Sequence, residues 1–252
     1  MTALAEIMTW LDDLLEPGAF KDFGPNGLQV PGREQVVTVV TGVSAHVELL
    51  ERAIAEDADL LLVHHGLIWD FQSRRLHRRQ ARRLRLALEA ELNLVMYHLP
   101  LDAHPEVGNN ALLAGALGAD AHEAWGRSRG RPLGRMATFA EPVPIAELLA
   151  RVTRVTDREP LAFTDGPAAV RRLAIMSGGS ATEFSSAIEA GADAFLTGEP
   201  AEHVMADAAE AGVHFIAAGH HATERFGARR VGELLAERFG VRHTFIDVPN
   251  PV

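Results

Sequence analysis

Apolar and polar positions follow two rhythms along this chain, a helical one and one of short unbroken apolar runs. Leu4, Ile7, Leu11 and Leu14 recur at helical spacing with Glu6, Asp12 and Asp13 between them, predicting an opening amphipathic helix that Pro17-Gly18 ends. The turn-rich segment 22–27 enters a short strand. Residues 36–41 are β-branched and predict a strand, and Gly42-Val43-Ser44 turns into a helix over 46–56. Leu60-Leu61-Leu62-Val63, bounded by Asp59 and Gly66, reads as a strand buried on both faces, as does 92–97. Leu76, Leu84 and Leu88 give the arginine-rich segment between these strands one apolar face, so it reads as a helix. A helix over 109–117 closes on Gly118. Beyond it, strands at 135–140, 161–163, 173–176, 194–196, 215–217 and 243–248 alternate with helices at 145–155, 183–190, 201–211 and 224–239. Alternation of this kind predicts α/β layers.

The glycine- and arginine-rich stretch 126–134 reads as a loop and places the boundary between two α/β lobes, 1–127 and 128–252. The C-terminal helix and strand are candidates to return to the first lobe. The two halves echo one another. Residues 53–59, AIAEDAD, parallel 187–193, AIEAGAD, and Thr41-Gly42-Val43-Ser44 parallels Ser177-Gly178-Gly179-Ser180. His98-x-x-x-Asp102 has a counterpart in His220-x-x-x-Glu224. Two similar lobes with a crevice between them are the expectation, and sites favour such interfaces. Thr197-Gly198-Glu199 stands where the first half has His64-His65-Gly66, so the site is expected to be asymmetric.

Composition narrows the chemistry. At 252 residues, 47% hydrophobic and 23% charged, the chain has length for a substantial core and ordinary globular proportions. No apolar run approaches the roughly 18 residues a membrane span needs, and the N-terminus lacks a basic region followed by an apolar one, which reads as a cytosolic protein. Cysteine is absent, which excludes disulfides, thiolate metal sites and thiol nucleophiles. Any metal must be held by nitrogen and oxygen. The formal charge of −10 argues against a protein that coats nucleic acid. The arginines between Arg74 and Arg85 are the local exception, either a solvated helix face or an anion-steering rim.

His64 and His65 close an apolar strand, at the sheet edge where α/β proteins bind ligands. Taken alone, the pair reads as one exposed and one hydrogen-bonded histidine. His220 and Glu224, four apart, fit one helix face and could hold one ion together. With Asp102 they make three imidazoles and two carboxylates, each following a predicted strand. Glu224 could bridge two ions, leaving about one histidine and one further ligand for each. Such a set suits Zn, Mn, Fe, Co or Ni without choosing among them. His98 is either an acid/base group or outer partner near the metals, or a histidine that fixes the Asp102 loop. Trp69 could stack on a planar ligand or pack against the crevice wall.

Four segments together carry a family resemblance: Asn26-Gly27-Leu28-Gln29-Val30, residues 64–69 (HHGLIW), 98–102 (HLPLD) and 219–227 (GHHATERFG). Leu133-Gly134-Arg135 and Ser177-Gly178-Gly179-Ser180 fall at matching relative places. The chain resembles, from first helix to last, the NGG-interacting-factor-three-like family, labelled GTP cyclohydrolase I type 2 homologues. The resemblance implies a di-metal site with His64, Asp102 and Glu224 on one ion and His65, His220 and Glu224 on the other. It also implies a toroidal homohexamer with its sites facing an internal cavity. His221 stands where that family often has tyrosine and is not taken as a ligand. The loop at 126–134 is too short for the extra domain that some members insert.

The expected function is a metal-dependent hydrolase acting through metal-activated water on a nucleotide or a phosphoester. The family label points to opening of the GTP imidazole ring. The alternative is a non-enzymatic metal-binding scaffold or regulatory protein contacting nucleic acid or a transcription factor.

Overall fold

The computed structural model describes all residues, Met1–Val252, as a mixed α/β protein with three sheets. No helix is long and apolar enough to cross a membrane. The chain divides into two compact units, one of residues 1–101 and 227–248, the other of 102–226 and 249–252.

In the first unit a five-stranded sheet runs in the order Arg242–Phe245, Thr38–Ser44, Leu60–His65, Asn93–Met96, Gly27–Val30. The first four strands are parallel and Gly27–Val30 is antiparallel at the edge. Register explains the burial. Val40 pairs with Leu61 and Leu61 with Leu94, so these three side chains share one face. Leu49, Leu50 and Ala53 of the helix Val47–Ala55, and Ala87 of the helix Arg78–Glu89, belong to the same core cluster. Leu60 and Leu62 point to the opposite face and are equally buried. Each such leucine contributes about 1.5–3 kcal/mol on burial. Asp59 locks the start of the central strand. Its carboxylate accepts from the backbone N–H of Val37 and Thr38 and from Arg33 at 2.8 Å. A ribbon of Thr2–Ala3 with Gln35–Val36 completes the unit.

The second unit holds a six-stranded sheet ordered Ala121–Ser128, Arg131–Pro144, Ala169–Ile175, Ala194–Thr197, His214–Ala217, Leu161–Phe163. Its three strands from Ala169–Ile175 to His214–Ala217 are parallel, and the flanking ones antiparallel. Phe195, Phe215 and Phe163 share one face by register, and Phe184 packs edge-on against Phe215 at 5.2 Å. Leu173, Ile175, Leu196 and Ile216 belong to a second cluster with Leu148, Val152 and Leu113.

Two features differ from the sequence reading. The stretch 126–134 is not a linker. It is the turn and inner ends of a hairpin between Ala121–Ser128 and Arg131–Pro144, inside the second unit. Arg129 and Gly130 both have positive φ, 49° and 88°, the twist that suits a two-residue hairpin turn. The first strand of that hairpin is mostly exposed, so it lacks the apolar signature that would have predicted it. The division of the chain falls instead at Leu101/Asp102. The last helix and strand belong largely to the first unit, where Arg242–Phe245 pairs with Thr38–Ser44.

Candidate metal centre

In the first unit, His64 and His65 are the last two residues of the central strand rather than its sequel. Their rings nevertheless lie close, with centroids 4.6 Å apart and tilted by 47°. His64 is fully buried and its Nδ1 lies 3.1 Å from the Tyr97 carbonyl. A carbonyl only accepts, so Nδ1 carries a proton and Nε2 is the nitrogen left to serve as a ligand. His65 Nδ1 pairs at 2.9 Å with the hydroxyl of Ser44, the residue opposite it in the ladder. His98 stands beside both, ring centroids 5.0 Å from His64 and 5.6 Å from His65. Donor atoms of His64, His65 and His98 lie within 4.8 Å of one another.

His98 is held from a segment that the sequence marks only as a turn. Its Nδ1 donates to Asp22 Oδ1 at 2.7 Å, and its backbone N–H donates to the Asn26 side chain at 2.8 Å. Burial pushes the Asp22 carboxyl up. The His98 hydrogen bond and charge, the Asn26 amide and the Phe23 N–H together outweigh burial and bring its pKa down to about 2. Trp69 meets His98 edge-on at 5.1 Å and stacks on Phe71, while its indole N–H donates to the Gly66 carbonyl. The aromatic wall is therefore built and fixed at one end.

In the second unit, His220 and Glu224 do not lie on one unbroken helix. His220–Thr223 makes one turn, Glu224 takes a non-helical conformation, and a new helix runs Arg225–Phe239. The pairing at four residues survives, with His220 Nε2 3.2 Å from Glu224 Oε2. His220 Nδ1 is bonded to Glu199. Burial lowers the His220 pKa, but the carboxylates of Glu224 and Glu199 hold it up at about 9. Positive charge is strongly favoured there.

Asp102 is 5% exposed and Glu224 2% exposed, and the turn Ser177-Gly178 ties them together. Asp102 Oδ1 accepts from Asn109 at 2.8 Å and from the Ser177 hydroxyl at 3.1 Å. Gly178 donates its N–H to Thr223 Oγ1 at 3.1 Å. Its φ is +68°, and a Cβ at this position would collide with the Glu224 carboxylate and approach His220 Nε2 at 3.2 Å. Only glycine suits such a position.

These donors fit a divalent metal. His64 and His220 each commit Nδ1 to an acceptor, and His65 shares its own with a hydroxyl, which orients Nε2 for a ligand's role. Two buried carboxylates bring the negative charge. The chain thus carries His, Asp and Glu groups able to bind metal ions. Ser44, Asp22, Glu199, Asn109 and Ser177 escaped the sequence reading as site residues. Serine, asparagine and acidic residues at turns and element ends are ordinary, and only tertiary pairing distinguishes these five.

The comparisons agree with the resemblance read from the motifs. The family model Duf34/NIF3 (NGG1p interacting factor 3) matches residues 2–251. A Pseudomonas aeruginosa protein named GTP cyclohydrolase 1 type 2 homolog is 43% identical, over 99% of this chain and 98% of its own. The solved structure of protein ybgI, described as of unknown function, is 42% identical, with TM-score 0.93 and full coverage of both chains. Protein TTHA1606 from Thermus thermophilus is 33% identical, with TM-score 0.91 and full coverage of both. With a family model spanning nearly its whole length and relatives above 40% identity, the chain belongs to the Duf34/NIF3 family.

Proposed function

We propose that the protein is a di-metal hydrolase in which two divalent ions share one carboxylate ligand. His64, Asp102 and Glu224 would hold one ion, His65, His220 and Glu224 the other. The observation that carries this reading is the shared treatment of the three histidines: a carbonyl, a hydroxyl and a carboxylate engage their Nδ1 atoms. Structural histidines have no need of that uniformity, whereas ligands through Nε2 do. Two ions so placed would supply an activated water and stabilise both attacking and leaving oxygens.

This chain's own residues would do the rest. His98, with Nδ1 committed to Asp22, keeps Nε2 to accept or return a proton near His64 and His65. Trp69 and Phe71 offer a flat wall for a planar group. A nucleotide or phosphoester is the substrate class, in line with the name carried by the Pseudomonas aeruginosa relative. The hexameric ring belongs to the same proposal and predicts the solution mass of a hexamer.

Elemental mass spectrometry of the purified wild type and Glu224→Ala, with no metal added, is the test. About two ions per chain, lost in the mutant while circular dichroism stays unchanged, is the expected result. His98→Ala should then keep its metal and lose turnover by roughly 100-fold or more, the usual worth of a general acid or base. A wild type that neither contains nor takes up metal would sink the proposal.

A further inference from the structure

The arginine-rich segment has no place in the metal centre, yet it builds a site of its own. Between Asp70 and Glu89 the sequence has seven arginines and no acidic residue, in a chain of net charge −10. Most of these cations are ordinary surface. Arg82 reaches Glu51 at 2.8 Å and Arg85 lies 3.9 Å from Glu89. Arg79 and Arg83 differ. They line a cavity of about 110 Å³ together with Gln72, Ser73, His77 and Gln80. A single water needs only roughly 10–15 Å³, so the cavity is far larger than one solvent molecule requires.

Arg83 is half-buried, and its Nε is hidden from solvent without a hydrogen-bond partner. Burial, with the charge of Arg79 beside it, makes its proton less firmly held than in a free guanidinium. An arginine nevertheless stays charged in a protein. Two like charges are thus held side by side around a concave space, an arrangement that an anion relieves. The cavity also lies at the N-terminal end of the helix Arg78–Glu89, where backbone N–H groups add positive potential.

The pocket is framed and not merely a chance gap. Gln80 donates to Gln72 at 2.9 Å, joining helix to loop. Upstream, Gln29 accepts from the backbone N–H of Leu67 and Ile68 at 2.7 and 3.1 Å, anchoring the loop that leaves His65. Phe71, 73% exposed and stacked on Trp69, immediately precedes Gln72.

We propose that this cavity, gripped by Arg79 and Arg83, binds a phosphoryl group of a phosphorylated small molecule. Arginine's planar fork matches phosphate oxygens, and a concave pair selects a terminal or bridging phosphate over an extended backbone. Phe71, exposed and next in sequence to the lining residue Gln72, favours a nucleotide over free phosphate. Service to the metal centre rests on the proposed hydrolase reading, while the pocket itself stands without it.

Calorimetry on the full chain, stripped of metal with chelator and dialysed, removes any contribution from metal-held phosphate. The probes are GTP, guanosine, inorganic phosphate and a short duplex DNA. GTP should bind, guanosine at least tenfold more weakly, and Arg83→Gln and Arg79→Gln should each weaken GTP by about tenfold or more. Arg85→Gln, outside the cavity, should match wild type. Phosphate weaker than GTP but equally sensitive to Arg83→Gln assigns the pocket to a nucleotide, and equal affinities assign it to the free anion. Arg79 is exposed, so Arg79→Gln carries the test if Arg83→Gln does not fold. GTP affinity unchanged in the cavity variants overturns the proposal. So does guanosine binding as tightly as GTP, or DNA binding that Arg85→Gln weakens as much as Arg83→Gln. Metal content is measured separately, so failure of the di-metal reading leaves these outcomes legible.

Discussion

The two units use one strand plan to place different chemistry. Within each sheet, an antiparallel edge strand precedes in the chain a run of three parallel strands: Gly27–Val30 with Thr38–Ser44, Leu60–His65 and Asn93–Met96, and Leu161–Phe163 with Ala169–Ile175, Ala194–Thr197 and His214–Ala217. The ends of equivalent strands differ. The first unit's middle strand ends in two imidazoles, and Glu199 follows the second unit's. Glu199 bonds to His220, which follows the next strand over. Ser44 ends one strand and Ser177 follows its equivalent, yet one pairs with a histidine and the other with Asp102. Shared topology therefore fixes where side chains are offered. Which atoms they present is decided residue by residue.

Gly178→Ala should break this comparison hardest. Gly42 is its counterpart in the first unit's wording, but only Gly178 combines positive φ with a carboxylate against its missing Cβ. Strain of this kind costs about 1–3 kcal/mol. Displacement of Glu224 comes on top of it. Lower thermal stability and loss of bound metal together are the expected readout, and a variant that kept full metal content would contradict the role given to that turn.

Glu199→Gln tests whether the second unit's charged partner matters more than the first unit's hydroxyl. Removing such outer partners typically weakens metal binding by about 10–100-fold. The charged Glu199 belongs at the upper end of that range. Competition with a coloured chelator measures it, and Asp193→Asn, away from the centre, should leave affinity unchanged.

Acid provides the next contrast. Asp22 has its folded pKa near 2, below its ordinary 3.8, so its stabilising effect is complete above about pH 4. It is lost as pH falls through 2, and the span is worth about 2 kcal/mol. Denaturant midpoints of wild type and Asp22→Asn, followed from about pH 5 down to about pH 2, should therefore converge as acid is added. Parallel curves would show that the His98 pairing contributes nothing to acid stability.

Ser44→Ala should do least. Its hydroxyl can be replaced by water at the half-exposed His65, so metal affinity should fall only several-fold, less than the roughly 10-fold lower bound for outer partners. A larger loss than in Glu199→Gln would reverse the ranking of the two units.

Much of this was legible in the residues. The apolar run 60–63 announced the central strand because a fully buried strand must be apolar on both faces. His220 and Glu224 were legible by spacing, although the helix breaks at Glu224 before the next one starts. The exposed strand Ala121–Ser128 was not, since its side chains meet solvent and carry no period-two signal. Asp22 was hidden for another reason: its partner His98 is 76 residues away, and no local rule connects a turn aspartate to a distant imidazole. Long-range pairing, not local propensity, is what completed the site.

The parallel pairing of Arg242–Phe245 with Thr38–Ser44 has a consequence for how the molecule is made. A ribosome delivers Thr38–Ser44 before the second unit and its neighbour only after it. Until Arg242–Phe245 is made, that strand has a bare edge, open to wrong partners. The second unit, by contrast, is nearly continuous and can settle while the first still waits. Completion of the first sheet thus waits until the second unit has been made, and a chain cut short before Arg242 would leave that edge unsealed.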